Sequence, residues 1–421
     1  MTELTWNAPG GVSPTLAANL TASRMRAEGH EILHMGFGEA PFPVHPRLAR
    51  ALGESAGEHG YLPVAGLPEL RRAATEHQAR VAALDGDAFE VMVVPGSKAM
   101  LFALQLAVPG DTVLPTPSWV SYRPQAEVLG LGVVPVASVL DERGYRIEPE
   151  ALDRAVVEAR KAGRQPTKVV LNSPSNPTGL VMPDDNAREI AEVCRRHGLI
   201  VVSDEIYSRL TFDGSYPSIA RHAPERTVVT TGLSKHMSLG GWRVGLGFVP
   251  KSLESLFAAL ETIASETWSC VASPVQFAAI EAYSGHEDVE AFIALSRRIH
   301  ADVTGYAAAR LNAMDVPTVT PQGGFYLWPD VPRRGRAHNL GTSNALADAL
   351  LEGVGVLTLP GTAFGERPEA MRLRLSACDY DGAAALDHYR ALADGTKAEI
   401  GAFAPRVVAA MDAFERFLGG A

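Results

Sequence analysis

Short runs of apolar, mostly β-branched residues recur along the first two thirds of the chain, and stretches with helical spacing separate them. The runs are VMVV (91–94), TVLP (112–115), GVVPV (132–136), KVVL (168–171), LIVVSD (199–204), TVVTT (227–231) and VGLGFV (244–249). Because the runs are continuously apolar rather than alternating, they predict strands covered on both faces. Strands that alternate with helices are typical of an α/β fold, here with a mostly parallel sheet of seven strands.

The pattern changes near residue 295. The charged stretch at 287–314 predicts a long helix that leads into a smaller α+β segment with a C-terminal helix. We therefore expect a large domain over residues 46–295 and a small domain over residues 296–421. Residues 1–45 hold a predicted helix (14–29) and a short strand (31–37) but no strand of the large sheet. We expect this N-terminal segment to pack with the small domain.

Composition and charge narrow the class of protein. The net charge is 38 − 48 = −10, which argues against nucleic acid or an anionic membrane surface as a partner. No apolar run is long enough for a transmembrane helix, and the N-terminus lacks the apolar core of a signal peptide. Three widely spaced cysteines favour a cytoplasmic location. The scattered histidines contain no metal-binding pair, so we expect no metal site.

Polar residues follow several predicted strands directly. Ligands of an open parallel sheet bind at the carboxyl ends of its strands, so these residues are expected to share one edge. They are Gly96, Ser97 and Lys98 after the run at 91–94, Trp119 after 112–115, Asn176 after 168–171, Asp204 and Tyr207 at the end of 199–204, and Ser234, Lys235 and Arg243 after 227–231. A Gly-Ser turn that opens a helix suits a phosphate. A carboxylate at the end of a buried strand needs a cationic partner.

One ligand accounts for these residue types together, namely a phosphorylated pyridine aldehyde. Its phosphate requires a helix N-terminus, a hydroxyl and an arginine, and its ring requires a stacking aromatic side chain. Its ring nitrogen requires a carboxylate, its phenolic oxygen requires hydrogen-bond donors, and its aldehyde requires a lysine. In that order, the chain supplies Ser97, Arg243, Trp119, Asp204, Asn176 with Tyr207, and Lys235. Each residue alone also fits an ordinary loop or core position, and only their coincidence indicates the cofactor.

Ten ordered blocks from about residue 12 to the C-terminus resemble the fold-type I pyridoxal-phosphate enzymes, specifically class I/II aminotransferases of the aspartate-aminotransferase-like branch. The blocks are GEAPFP (38–43), GYLPVAGLPELR (60–71), PGSKAML (95–101), PTPSWVSY (115–122), NSPSNPTG (172–179), SDEIY (203–207), SKHMSLGGWRVG (234–245), GGFYLWPD (323–330), PGTAFG (360–365) and RLRLS (372–376). The resemblance implies an enzyme that uses pyridoxal 5'-phosphate to move an amino group between an L-amino acid and a 2-oxo acid.

The resemblance also implies residues that contact the substrate or a second subunit. Gly38 would lie beside the substrate, together with Trp119 and Asn176. Arg374 would form a bidentate pair with the substrate α-carboxylate. Tyr61 resembles a tyrosine that reaches the cofactor phosphate of the neighbouring subunit, which implies a homodimer with shared active sites.

The catalytic residues implied are Lys235, Asp204 and Tyr207. Lys235 would bond the cofactor, be released by the amino acid, and then act as general base and acid. Asp204 would keep the ring nitrogen protonated. No arginine stands out as a partner for a substrate side-chain carboxylate, so aspartate as the substrate does not follow from the resemblance.

The chain departs from the family pattern at three places. Gly38-Glu39-Ala40-Pro41 replaces the usual Gly-Glu-Pro-Asp, His236 follows the lysine, and TWSCVASP (267–274) is unusual. The alternative that remains open is therefore an elimination, replacement, cyclisation or oxidase enzyme of a specialised biosynthetic pathway on the same scaffold. The intact Lys235 argues against a non-catalytic sensor. A nicotinamide enzyme is disfavoured because GLGVVP lacks the third glycine of the fingerprint and GLGFVP precedes no helix.

Overall fold

The apolar runs of the sequence form the centre of the protein in the computed structural model, which describes residues 12–216, 218–331, 340–393 and 396–419. Its strands are β1 (Leu33–His34), β2 (Phe89–Val94), β3 (Asp111–Thr116), β4 (Val133–Asp141), β5 (Gly144–Ile147), β6 (Pro166–Asn172), β7 (Ile200–Asp204), β8 (Thr227–Gly232), β9 (Gly245–Pro250), β10 (Tyr326–Leu327), β11 (Val356–Leu357), β12 (Leu359–Pro360) and β13 (Leu373–Ser376). All seven predicted strands of the large sheet are present.

Helices connect most of these strands. They are α1 (Pro14–Ala27), α2 (Pro46–Glu54), α3 (Pro68–Ala82), α4 (Ser97–Ala107), α5 (Tyr122–Val128), α6 (Pro149–Lys161), α7 (Asp184–His197), α8 (Glu254–Thr267), α9 (Ser273–Tyr283), α10 (Glu287–Ala313), α11 (Ser343–Val354), α12 (Gly382–Ala391), α13 (Ile400–Phe403) and α14 (Pro405–Gly419). Within the described ranges, no helix is both long and apolar enough to cross a membrane.

The large sheet has eight strands rather than the predicted seven, in the order β2-β9-β8-β7-β6-β3-β4-β5. The additional strand, β5, forms an antiparallel hairpin with β4, and its pattern GYRI is too short and too polar to resemble the buried runs. The pairs among β3, β4, β6, β7 and β8 are parallel, whereas β9 is antiparallel to both β8 and β2. The sheet is therefore mostly parallel, as predicted, with one reversed strand inside it.

Both faces of the sheet are buried, which explains the continuous apolar runs. Val170 and Val202 pack on one face in a core that includes residues of α4 and α8. Val169, Leu171 and Val201 point to the opposite face, into a core shared with α6 and α7. Successive strand residues thus contribute to different cores.

The N-terminal segment pairs with the C-terminal part of the chain. Strand β1 lies parallel to β11, with Leu33 opposite Val356. Strand β13 pairs antiparallel with both β10 and β12 in a separate three-stranded sheet. The predicted division at residue 295 falls inside the single helix α10, so no loop marks it. The division into domains stays a prediction.

Candidate active site

A cavity of about 560 Å³ opens at the carboxyl edge of the parallel strands. The loops that follow β2, β3, β6, β7 and β8 all contribute to its wall, because these strands point the same way. Of the residues singled out in the sequence, eleven line it: Gly38, Ser97, Lys98, Trp119, Asn176, Asp204, Tyr207, Ser234, Lys235, Arg243 and Arg374. Residues more than 300 positions apart in the sequence therefore meet at one site.

The reversal between β8 and β9 brings Lys235 and Arg243 to the same edge. No helix crosses over between these strands, so the loop returns at the end from which it left. Arg243 has a left-handed backbone (φ 55°), and its side chain donates to the backbone oxygens of Gly240 (2.8 Å) and Pro95 (3.3 Å). Gly96 does not line the cavity, yet a Cβ there would lie 2.2 Å from an Arg243 nitrogen. Glycine at 96 thus leaves the room that the guanidinium occupies.

The N-terminus of α4 faces the cavity beside this guanidinium. Gly96 precedes the helix with φ 84°, and no side-chain hydrogen bond caps the helix from this position. Ser97 and Lys98, its first two residues, line the cavity, and the Lys98 ammonium lies 5.0 Å from the centre of the Trp119 ring. A free helix N-terminus next to an arginine has the donors and the positive charge that suit an anion.

Asp204 ends β7 as a buried carboxylate with a defined set of donors. Its Oδ2 accepts from the Tyr122 hydroxyl (2.7 Å), and its Oδ1 accepts from the backbone N–H of Ile206 (3.3 Å) and the Thr230 hydroxyl (3.4 Å). Burial raises the pKa of Asp204 to about 6, although these hydrogen bonds favour the charged form. The group is therefore mainly ionised at neutral pH, which a carboxylate that pairs with a cation requires.

Lys235 is the amine of the site. Its Nζ donates to the backbone oxygen of Gly38 (2.7 Å) and lies 5.7 Å and 5.6 Å from the ring centres of Tyr207 and Phe325. Burial lowers the pKa of Lys235 to about 8, and the nearby Arg374 acts in the same direction. More of the group is thus in the nucleophilic amine form near neutral pH than for an exposed lysine.

Arg374 is wholly buried, and the described residues give its Nε no hydrogen-bond partner. One terminal nitrogen donates to Oδ1 of Asn176 (3.4 Å), and the other donates to the backbone oxygen of Gly36. The guanidinium carbon lies 4.7 Å from the centre of the Tyr326 ring and 5.3 Å from that of Phe364. A buried guanidinium with spare donor capacity suits a planar carboxylate.

Several cavity residues were not predicted from the sequence. Tyr122 and Tyr326 lie in the quoted blocks PTPSWVSY and GGFYLWPD. Only the fold reveals that Tyr122 hydrogen-bonds to Asp204 and that Tyr326 hydrogen-bonds to Tyr207. Asn172 was likewise missed, although its side chain donates to the backbone oxygen of Asp204 (2.8 Å) and accepts from the backbone N–H of Asn176 (2.7 Å). Residues of the N-terminal segment (Ser13, Thr15 and Leu16) also line the cavity.

Tyr61, like Gly96, is a predicted residue that does not line the cavity. Its side chain is 93% exposed in this single chain.

Among the described residues, no group of three His, Cys, Asp or Glu side chains is placed to hold a metal ion.

The residues present fit pyridoxal phosphate by the chemistry of the donor set. The helix N-terminus and Arg243 place anion-binding donors side by side, and the absence of a Cβ at Gly96 leaves room for the guanidinium. A lysine with a lowered pKa and a buried carboxylate face the same cavity. The Nε of Arg374, which has no partner among the described residues, is a donor of the kind that a carboxylate requires.

Comparison with known proteins agrees with this arrangement. The family profile "Aminotransferase class I and II" matches residues 30–384. An aspartate aminotransferase of Geobacillus stearothermophilus is 36% identical over 378 residues, which cover 86% of this chain and 91% of that protein. An aspartate/prephenate aminotransferase of Thermus thermophilus is 34% identical, with 84% and 89% covered.

A solved structure extends the similarity to the fold. The aspartate aminotransferase from Thermus thermophilus with maleate superposes with a TM-score of 0.82 at 28% identity, covering 97% of each chain. The family is pyridoxal-phosphate-dependent and transfers amino groups between amino acids and oxo acids. With a family match over most of its length, this chain belongs to the class I and II aminotransferases, in the aspartate-aminotransferase-like branch.

Proposed function

We propose that this aminotransferase uses Lys235 as its covalent anchor and proton carrier, Asp204 as the partner of the cofactor ring nitrogen, and Arg374 as the receptor for the substrate α-carboxylate. The observation that carries the proposal is their meeting in one cavity. Gly96, Ser97, Lys98, Ser234 and Arg243 would hold the cofactor phosphate, Trp119 would stack on its ring, and Asn176 and Tyr207 would donate to its phenolic oxygen.

Pyridoxal phosphate supplies an aldehyde that bonds amines and a ring that withdraws electrons from the bonded carbon. Arg374 would hold the amino acid by its carboxylate and so fix its orientation in the cavity. The Lys235 Nζ, neutral above its lowered pKa, accepts the Cα proton as a general base. The Asp204 carboxylate stabilises positive charge on the ring nitrogen, and the buried walls exclude water from the reacting atoms.

We further propose an acidic amino acid such as aspartate as one amino donor. Relatives over most of the chain are named aspartate aminotransferases, which supports this assignment. The cavity holds four cationic side chains. The side chains of Lys235, Arg243 and Arg374 have roles in the proposal above, whereas Lys98 would contact the phosphate through its backbone N–H at the start of α4. The Lys98 ammonium, above the Trp119 ring, is the remaining cation for a side-chain carboxylate.

A panel of amino donors tests this function. We expect purified protein to convert the bound cofactor to its amine form, with release of the matching 2-oxo acid, fastest with aspartate or glutamate. Lys98→Gln should raise KM for aspartate and leave KM for alanine unchanged, because only aspartate carries a second carboxylate. Equal changes for both donors would contradict the role of Lys98.

The same panel addresses elimination, replacement, cyclisation and oxidation. Of the sequence departures, Ala40 and His236 are buried outside the cavity, and neither Pro41 nor the segment 267–274 lines it. Transamination accordingly remains the function best supported by the lining residues. Ammonia release or oxygen consumption with any donor would favour the alternative.

A homodimer whose two subunits share their active sites is also part of the proposal. The exposed Tyr61 is available to a second copy of the chain, as the family resemblance implies. Free thiols at Cys194, Cys270 and Cys378 support a cytoplasmic location.

A further inference from the structure

Tyr326 contacts residues of the site from two directions. It lies on β10, where it faces Ser376 of β13 in the antiparallel pair. Its hydroxyl lies 2.8 Å from the hydroxyl of Tyr207, and its ring centre lies 4.7 Å from the guanidinium carbon of Arg374. Tyr326 is 2% exposed and Tyr207 is 4% exposed, so bulk water does not compete for this hydroxyl pair.

The backbone at Gly38 is shaped around the same tyrosine. A Cβ on Gly38 would lie 1.9 Å from the Tyr326 hydroxyl oxygen and 2.6 Å from two of its ring atoms. The backbone oxygen of Gly38 in turn accepts from the Lys235 Nζ. The side chain of Tyr326 therefore contacts three parts of the site. They are the backbone at Gly38, which accepts from Lys235, the hydroxyl of Tyr207 and the guanidinium of Arg374.

We propose that Tyr326 is a positioning residue that fixes Tyr207 through its hydroxyl and Arg374 through its ring face. The inference rests on the proposed roles of Tyr207 toward the cofactor oxygen and of Arg374 toward the substrate carboxylate. Tyr326 itself forms and breaks no bond in the reaction.

The two effects have separate physical origins. Either hydroxyl of the pair can donate. In the proposed arrangement Tyr326 donates to the Tyr207 oxygen, which leaves the Tyr207 proton free to point into the cavity and makes it a stronger donor. The ring face attracts the guanidinium and holds its plane, because a buried cation lies favourably over an aromatic ring. Removing the hydroxyl should therefore affect Tyr207, whereas removing the ring should also affect Arg374.

Tyr326→Phe tests the hydroxyl. Titration of the visible absorption of the holoenzyme reports the pH at which the cofactor-bonded Lys235 nitrogen loses its proton. A weaker Tyr207 donor leaves the neighbouring cofactor oxygen more basic, so this nitrogen keeps its proton to higher pH. We expect the midpoint to rise by about half a pH unit to one unit, the scale of one lost hydrogen bond.

Tyr326→Leu tests the ring with maleate as a non-reacting dicarboxylate probe. Loss of the aromatic face should weaken maleate binding about tenfold, measured as a Kd by spectral titration. Tyr326→Phe keeps a ring over Arg374 and should change this Kd by less than about twofold. The phenylalanine variant preserves the packing, so the inference stays testable if the leucine variant fails to fold.

Tyr283→Phe is the matched control, because Tyr283 is also a buried tyrosine and its hydroxyl has no hydrogen-bond partner among the described residues. It should leave both the midpoint and the maleate Kd unchanged. An unchanged midpoint in Tyr326→Phe, or equal maleate binding in the leucine and phenylalanine variants, would overturn the inference.

Tyr207→Phe separates this inference from the proposed function. If Tyr207→Phe shifts the midpoint and Tyr326→Phe does not, Tyr207 keeps its role and the positioning by Tyr326 is wrong. If neither variant shifts it, the proposed role of Tyr207 fails first.

Discussion

The hydroxyl of Tyr122 donates a 2.7 Å hydrogen bond to Oδ2 of Asp204, although 82 positions separate the two residues in the sequence. Both are buried, and no other side-chain hydrogen bond to this oxygen is present among the described residues. The carboxylate would otherwise lose charge stabilisation in an environment that already raises its pKa to about 6. Tyr122 therefore helps to keep Asp204 ionised at neutral pH.

We expect Tyr122→Phe to shift the acidic limb of the kcat/KM profile upward by about one pH unit. Loss of a donor to the charged form raises the Asp204 pKa further, toward neutrality.

Asp204→Asn should retain the cofactor but lose activity about hundredfold or more at every pH, since a neutral amide cannot balance a cationic ring nitrogen. Near wild-type turnover of Asp204→Asn would assign Asp204 a structural role only.

The lowered pKa of Lys235 makes cofactor uptake depend on pH. In protein freed of the cofactor, Lys235 is mainly an ammonium below about pH 8 and mainly an amine above it. The rate of borohydride-trapped labelling by pyridoxal phosphate should therefore rise with pH with a midpoint near 8, not near the usual lysine value of about 10.5. Label should be absent from Lys235→Ala, and label on Lys98 instead would contradict the assignment.

Gly38→Ala should damage the site by displacing Tyr326. The added methyl group would overlap the tyrosine hydroxyl at 1.9 Å, and overpacking of this kind costs about 1–3 kcal/mol. We expect a lower melting temperature and at least about tenfold lower kcat/KM, since about 1.4 kcal/mol of lost positioning in the transition state corresponds to a factor of ten. Gly305→Ala is the control, because open space surrounds that helical position in α10. Unchanged kinetics in Gly38→Ala would show that the tyrosine moves without consequence.

Arg374→Lys should raise KM for every α-amino acid by about 10- to 100-fold, because an ammonium cannot replace the two parallel bonds of the guanidinium. Steady-state kinetics with aspartate and alanine measure this change. Reaction with an amine that lacks a carboxylate is the comparison, and its rate should hold. An equal loss for that amine would indicate a folding defect instead.

Complementation tests whether Tyr61 acts across a dimer. Neither Lys235→Ala nor Tyr61→Ala homodimers should be active. Exchange of equal amounts should restore about a quarter of the wild-type activity, because half of the dimers are hybrids with one intact site of two. If verified hybrid dimers have no activity, Tyr61 acts in the active site of its own subunit and not in that of the second subunit.

The sequence was most informative where chemistry follows directly from strand ends. Asp204, Lys235 and Asn176 could be assigned to one edge because parallel strands share a direction and ligands bind at their carboxyl ends. The return of β9 was also open to prediction, since residues 233–244 contain no helix that could cross over.

Contacts between distant segments were not predictable in the same way. The Tyr207–Tyr326 pair spans 119 positions, and neither tyrosine carries a local signal of its partner. A buried tyrosine resembles any other core residue until it is known that β10 packs against the segment that follows β7. The strand expected at 31–37 proved to be only Leu33–His34, because its pairing partner β11 is equally short.

The buried guanidinium of Arg374 places fold stability and substrate affinity in opposition. A wholly buried cation carries a desolvation cost, which its hydrogen bonds to Asn176 and Gly36 offset in part while its Nε has no partner in the described chain. A carboxylate that enters the cavity relieves this cost, so part of the affinity for substrate originates in the instability of the empty site. Selection for activity therefore favours this buried arginine, whereas selection for stability of the folded protein disfavours it.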